Sequence, residues 1–103
     1  MTLIPCHGMY LPDEKTDIGD IFDKISMGKG RTFWYLITLS DRTDRLFEIY
    51  TAKELSQPPY RNKTLYVAGF ARGRRGMLNM LEEILLEIYN KTKGFNVHSF
   101  FNP

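Results

Sequence analysis

The junction between a predicted strand and a predicted helix carries the residues whose types and spacing suggest binding chemistry. The stretch TLYVAGFARGRRGMLNMLEEILLEIY begins at Thr64 and ends at Tyr89, and its centre holds Gly69, Arg72, Gly73, Arg74, Arg75 and Gly76. A helix start presents free N–H groups and the positive end of the helix dipole, so such a junction can hold an anion. Arginines add forked donors for carboxylate or phosphate oxygens.

The spacing of these glycines differs from that of known nucleotide-binding loops. The stretch lacks the terminal Gly-Lys-Ser/Thr of a P-loop and the G-x-G-x-x-G of a dinucleotide fingerprint. Two interpretations stay open: an anion or nucleic-acid contact, or a tight strand–helix turn with solvated arginines. Arginines at a helix start oppose the local dipole, and an anionic partner would relieve this. For the anion or nucleic-acid contact we select Arg61, Lys63, Arg72, Gly73, Arg74, Arg75 and Gly76.

Cys6, His7 and His98 are the candidates for a nucleophile or a metal ligand. A metal site needs three or four ligands at organised spacings, which one cysteine and two histidines do not provide. Cys6 and His98 form a nucleophile and base pair only if the fold brings them together. We therefore predict no metal, no cofactor and no catalytic residue. A small-ligand enzyme that uses Cys6 or His98 is kept as a second alternative.

The helix predicted over residues 75–92 is too apolar for a single buried stripe. Its apolar residues are Met77, Leu78, Met80, Leu81, Ile84, Leu85, Leu86, Ile88 and Tyr89. Either the helix lies between two surfaces of the chain, with the N-terminal arm as a possible cover, or its spare face contacts a partner. We select Met80 and Leu86 as self-association contacts and expect a homo-oligomer.

The periodicity of apolar residues predicts the elements that position these sites. Apolar residues at i, i+3, i+4 and i+7 predict a helix over residues 16–27, with Thr16 as its N-cap and Gly28 as its stop. Runs of β-branched and aromatic residues predict strands over residues 32–40, 45–51, 63–71 and 95–101. Residues 1–12 are predicted to form an irregular N-terminal arm. The order α-β-β-β-α-β predicts an α+β fold: a mixed, mostly antiparallel sheet of about four strands packed by two helices.

Length and composition restrict the class of protein. A chain of 103 residues, 43% hydrophobic and 25% charged, is expected to form one domain over residues 1–103. The formal net charge of +2 does not by itself indicate nucleic acid, but residues 55–81 hold five basic residues and no acidic one. A single cysteine fits a reducing, cytoplasmic setting. We expect no membrane insertion, because no apolar run approaches the roughly 20 residues of a membrane helix.

These observations rank three hypotheses. The first is a small cytoplasmic, non-enzymatic interaction module that self-associates and uses the Gly/Arg turn as a ligand or partner contact. The alternative is a nucleic-acid-binding protein that uses the basic stretch over residues 61–75. The enzyme that uses Cys6 or His98 is the second alternative.

Overall fold

The computed structural model describes residues 1–42 and 44–101, and a four-stranded mixed sheet lies at its centre. The strands are β1 (Thr2–Tyr10), β2 (Trp34–Leu39), β3 (Phe47–Thr51) and β4 (Thr64–Arg72), in the spatial order β1-β4-β2-β3. β2 pairs antiparallel with β3 and β4, whereas β1 pairs parallel with β4. The predicted fold class, a mixed and mostly antiparallel sheet packed by helices, is confirmed.

The helices of the described ranges are α1 (Ile18–Ser26), α2 (Ala52–Leu55), α3 (Arg74–Thr92) and α4 (Val97–Phe101), and a 3₁₀ turn covers Pro58–Tyr60. The N-cap of α1 is Asp17 and not the predicted Thr16, because the Asp17 carboxylate accepts the N–H of Asp20 at 3.1 Å. Gly28 has a φ of +73° just after this helix, a backbone conformation that favours glycine.

Side chains alternate along β2 and β4 between the two faces of the sheet. Leu36 and Phe70 belong to a buried cluster with α1 and α2, whereas Ile37 and Ala71 belong to a second cluster with α3 and α4. Each of the four side chains is at most 1% exposed. Because helices cover both faces of the sheet, its central strands are apolar at consecutive positions.

The prediction of an irregular N-terminal arm is wrong, because Thr2–Tyr10 forms the edge strand β1. Pro5 is tolerated there, since an edge strand needs ladder hydrogen bonds on one side only. Gly8 has a φ of +73° and lies in the register shift between Pro5 and Tyr10, where β1 carries more residues than β4. The N-terminal segment thus completes the sheet and does not cover the outer face of α3.

The prediction of a last strand over residues 95–101 is also wrong, because α4 occupies this segment. Val97 and Phe101 are four residues apart, which places both on one face of a helix, and both are buried with α3 and the sheet. The side-chain oxygen of Asn96 accepts the N–H of Ser99 at 3.1 Å, as an N-cap does. The parallel neighbour of β4 is therefore β1 and not a C-terminal strand.

Candidate functional site

α3 has one face in the core and a second apolar face in solvent. Its buried residues are Met77, Met80, Ile84 and Ile88, which pack against the sheet. Away from this buried face, Leu78, Leu86 and Tyr89 are 46%, 57% and 50% exposed. Large apolar side chains that lie exposed beside one another are typical of a contact surface.

Together with half-buried neighbours, these exposed side chains line a shallow surface, which we call the α3 groove: Leu78, Leu81, Glu82, Leu85, Leu86, Tyr89 and Phe95. The α3 members recur at spacings of three and four residues, which places them along one side of the helix. Phe95 follows the helix, is 48% exposed, and packs on Tyr89 with the two ring centroids 5.8 Å apart. This aromatic pair forms the C-terminal end of the groove.

The two residues selected for self-association lie on different faces of α3, about 120° apart around the helix axis. Leu86 is exposed in the groove, but Met80 is only 7% exposed. The selection of Met80 is therefore wrong, since its side chain packs against the sheet at Gly69. Helical spacing groups Met80 with Ile84 on one face and Leu78 with Glu82 on another, but the spacing by itself does not show which face is buried.

The Gly/Arg junction forms a tight connection from β4 into α3. Gly73 is the N-cap of α3 and has a φ of +79°, which favours glycine. Its N–H donates to the carbonyl oxygen of Phe33 at 2.7 Å, and its own carbonyl oxygen accepts the N–H of Met77 at 3.1 Å. Gly76 lies in the first turn of α3, where a Cβ would come no closer than 4.0 Å to Ala71. The turn geometry thus explains Gly73 without a ligand.

The three arginines of the junction differ in their contacts. The Nη1 atom of Arg72 lies 3.7 Å from a carboxylate oxygen of Asp13, and its Cζ atom lies 5.4 Å from the ring centroid of Phe70. Arg74 and Arg75 are exposed in the first turn of α3. Among the described residues, neither has an ion-pair partner within 4.0 Å. Within the described residues, these two side chains are therefore unpaired cations at the N-terminal end of the α3 groove.

The basic residues selected from the sequence are divided between the two ends of β4. Arg61 and Lys63 precede this nine-residue strand, whereas Arg72, Arg74 and Arg75 end or follow it. A strand rises by about 3.3 Å per residue, which separates the two groups by roughly 26 Å. The N-terminal group has contacts of its own, since Lys63 lies 5.3 Å from the ring centroid of Tyr60. The fold therefore does not join the basic stretch into one continuous surface.

His98 lies on α4 beside a cleft between the end of β2 and the start of β4. Its Nε2 atom donates to the carbonyl oxygen of Ser40 at 3.1 Å. In the same cleft, the Tyr50 hydroxyl donates to the Glu48 carboxylate at 2.7 Å. Burial and this hydrogen bond raise the pKa of Tyr50. Tyr50, Glu48 and His98 thus form hydrogen bonds within the cleft, with one another or with the backbone.

Cys6 lies on β1 in the core cluster beside α3 and is 4% exposed. Burial raises the pKa of its thiol to about 11, so the thiol is protonated at neutral pH. A protonated, buried thiol is a poor nucleophile, because the thiolate is the reactive form. His98 lines the cleft at the end of the sheet and Cys6 does not, so this cleft does not unite the two residues.

Across residues 1–42 and 44–101, no three His, Cys, Asp or Glu side chains are grouped closely enough to hold a metal ion. The helices of these ranges include none with the length and apolar character needed to cross a bilayer. Comparison of the chain with protein-family models, with curated proteins and with solved structures finds no significant match.

Proposed function

We propose that this protein is a non-enzymatic interaction module that forms a homodimer through the α3 groove. The observation that carries the proposal is the stripe of exposed apolar side chains that extends from Leu78 to Phe95. Full burial of a leucine or phenylalanine side chain contributes about 1.5–3 kcal/mol relative to full exposure. Because Leu86 is 57% exposed, about half of that contribution remains for a partner to supply.

The arrangement of the groove supports a second copy of the chain as its occupant. A two-fold axis perpendicular to α3, between Glu83 and Ile84, pairs Leu78 with the partner's Tyr89 and Leu81 with the partner's Leu86. A two-fold interface requires such a self-complementary surface, because each position meets its symmetry mate. The resulting helices are antiparallel, so opposite ends of their dipoles lie side by side.

The contacts of Cys6 and His98 also support an interaction role. The Cys6 thiol is buried, and the ring of His98 is hydrogen-bonded to the backbone at Ser40. A catalytic pair would need an accessible thiolate beside the imidazole, but the Cys6 thiol is buried and does not line the cleft that His98 lines. A free, buried thiol is compatible with a reducing, cytosolic setting.

Sedimentation equilibrium of the wild-type chain and of Leu86→Gln tests the proposal. Wild type is expected to dimerise at micromolar concentration. Leu86→Gln is expected to raise the dimer Kd at least about tenfold, because two buried leucines are lost per dimer. Met27→Gln is the matched control, since Met27 is 61% exposed at the end of α1 and outside the groove. It should leave Kd unchanged.

Two results contradict the proposal. One is a wild-type chain that stays a monodisperse monomer at high micromolar concentration. The other is an equal rise in Kd for Leu86→Gln and Met27→Gln. Circular dichroism of both variants shows whether each retains its helices, so that a loss of folding is not mistaken for a loss of association.

A further inference from the structure

We propose that Arg74 and Arg75 dock onto the Tyr89–Phe95 ring pair of a second copy, which fixes an antiparallel orientation of the two α3 helices. This inference rests on the proposed self-association through the α3 groove. It assigns a partner to the two free arginines of the Gly/Arg junction. Each dimer would contain two such contacts, one at each end of the interface.

Arg74 and Arg75 continue the exposed apolar stripe toward the start of α3. They precede Leu78 by four and three residues, spacings that place neighbours on the same side of a helix. Neither forms an ion pair within 4.0 Å among the described residues. Cations at this end of a helix oppose its dipole, so a contact that compensates their charge is favoured.

The opposite end of the groove presents an aromatic surface. The rings of Tyr89 and Phe95 are about half exposed, and their planes are inclined by 34°. A guanidinium group over an aromatic face is attracted by the negative face of the ring. Arginine is suited to such a contact, because its planar group both stacks and carries charge. The two ends of one groove are therefore complementary to each other, as a two-fold dimer requires.

The geometry of the pairing joins these two ends. With the axis between Glu83 and Ile84, Leu78 lies opposite the partner's Tyr89. Arg74 and Arg75 lie about one helical turn before Leu78. In the antiparallel pair they therefore lie about one turn beyond the partner's Tyr89, beside the partner's Phe95. There the guanidinium groups also approach the C-terminal end of the partner's helix, where the dipole favours cations.

Two approaches of like charges oppose this pairing. Removal of either charge is therefore expected to strengthen the dimer, whereas removal of an arginine weakens it. Lys93, the left-handed C-cap of α3, lies opposite Arg74 in this arrangement. Glu82, within the groove, lies about one turn from its own symmetry mate. Lys93→Gln and Glu82→Gln are therefore expected to lower the dimer Kd, because like charges across an interface disfavour association.

The first experiment measures the dimer Kd of the full chain by sedimentation equilibrium. Arg75→Gln and Phe95→Leu are each expected to raise Kd about tenfold, because two symmetric cation–ring contacts are lost per dimer. The double variant is expected to raise Kd by about the same factor as either single variant, since both substitutions remove the same contact. Arg72→Gln is the matched control: it removes an equal charge from an arginine that already pairs with Asp13, and it should leave Kd unchanged.

The second experiment determines the orientation by disulfide cross-linking. Two proteins, Leu81→Cys and Leu86→Cys, are mixed and oxidised, and one of them carries a mass tag. Antiparallel pairing places the two substituted positions opposite each other, so the mixed dimer is expected. Parallel pairing yields Leu86→Cys homodimers instead and overturns the inference. Cys6 stays in both proteins, because it is buried.

The outcomes separate this inference from the proposed function. A wild-type chain that is monomeric at high micromolar concentration contradicts both. A dimer that is weakened by Leu86→Gln, but keeps its Kd in Arg75→Gln and Phe95→Leu, contradicts only the docking of the arginines. Equal weakening by Arg72→Gln also contradicts it, because the effect would then follow net charge and not the ring contact.

Discussion

Gly69 of β4 lies directly beneath Met80 of α3, and a Cβ atom at Gly69 would be 2.9 Å from the Met80 Sδ atom. The same Cβ would lie 3.5 Å from methyl carbons of Ile37 and Ile84. The absence of a side chain at Gly69 therefore sets how closely α3 approaches the sheet. Met80 thus lies on the buried face of α3, whereas Leu86 lies on the exposed face that carries the groove.

Gly69→Val is expected to lower the free energy of unfolding by about 1–3 kcal/mol, because its methyl groups would overpack the core beside Ile37 and Ile84. Gly69→Ala is expected to cost less, because its single added carbon displaces only the flexible Met80 thioether. Gly76→Ala is the matched control. It lies in the first turn of α3 with no atom closer than 4.0 Å, so it should raise stability by up to about 1 kcal/mol through helix propensity. Urea unfolding measures both changes, and a destabilisation of equal size at both positions contradicts the packing argument.

Tyr10 connects the edge strand β1 to α3 through its hydroxyl, which donates to the Glu87 carboxylate at 2.5 Å. Tyr10→Phe is expected to lower the free energy of unfolding by about 1–2 kcal/mol, because the acceptor is charged and partly buried. Tyr66→Phe provides a control on an exposed tyrosine of β4 and should change stability by less than about 0.5 kcal/mol. Equal effects of the two substitutions in urea unfolding would exclude a special role for this bond.

The short helix α2 depends on a capping box at its start. The Thr51 hydroxyl accepts the N–H of Glu54 at 3.1 Å, and the Glu54 carboxylate accepts the N–H of Thr51 at 2.9 Å. Thr51→Ala is expected to cost about 1 kcal/mol of stability. Thr51→Ala combined with Glu54→Ala should cost less than the sum of the two, since each partner depends on the other. Additive losses of stability in chemical unfolding would argue against the reciprocal cap. Lys53→Ala is the control, because Lys53 is exposed in the same helix and takes no part in the capping box.

The protein is expected to lose stability at alkaline pH. Burial raises the pKa of the Cys6 thiol to about 11, whereas the unfolded thiol ionises near its ordinary pKa of about 8.5. Between these values the unfolded state releases a proton that the folded state retains, so the free energy of unfolding falls as pH rises. Below the pKa of the unfolded thiol, the thiol is protonated in both states and this loss of stability does not occur. The raised pKa values of Tyr10 and Tyr50 act in the same direction at higher pH.

Urea unfolding between about pH 7.5 and pH 10.5 measures this loss. A Cys6→Ala variant is the internal control: its free energy of unfolding should decline less steeply over the window, because the titrating thiol is gone. Stability that stays constant or rises with pH in the wild type would refute the expectation. So would an equally steep decline in both proteins below about pH 10, where the tyrosines contribute little.

Local patterns in the sequence predicted most of the central elements. The helix predicted over residues 75–92 corresponds to Arg74–Thr92, and the strand predicted over residues 63–71 corresponds to Thr64–Arg72. Apolar residues recur about every 3.6 residues in a half-buried helix and every two residues in a half-buried strand. This periodicity depends only on one side of the element being buried, and not on which other element covers that side. The mixed sheet packed by helices was predictable for this reason.

Both chain ends were assigned incorrectly from local patterns. β1 is a strand because it pairs in parallel with Thr64 and the residues after it, which are remote in sequence. Pro5 and Gly8 indicate irregular backbone when no pairing partner is considered. At the other end, the apolar residues Val97 and Phe101 fit either one face of a strand or one face of a helix. Contact with α3 and the sheet selects the helix.

The sequence by itself determined that α3 has more apolar residues than one buried face can hold, and that arginines stand at its start. Only the tertiary structure decided which residues are available. Met80 packs against the sheet above Gly69, whereas Leu86 faces outward. The extended length of β4 likewise separates Arg61 from Arg74, although both belong to one basic stretch of the chain. Distances along a strand and contacts between the helices and the sheet involve residues that are remote in sequence. The local periodicity of apolar residues carries no information about these distances and contacts.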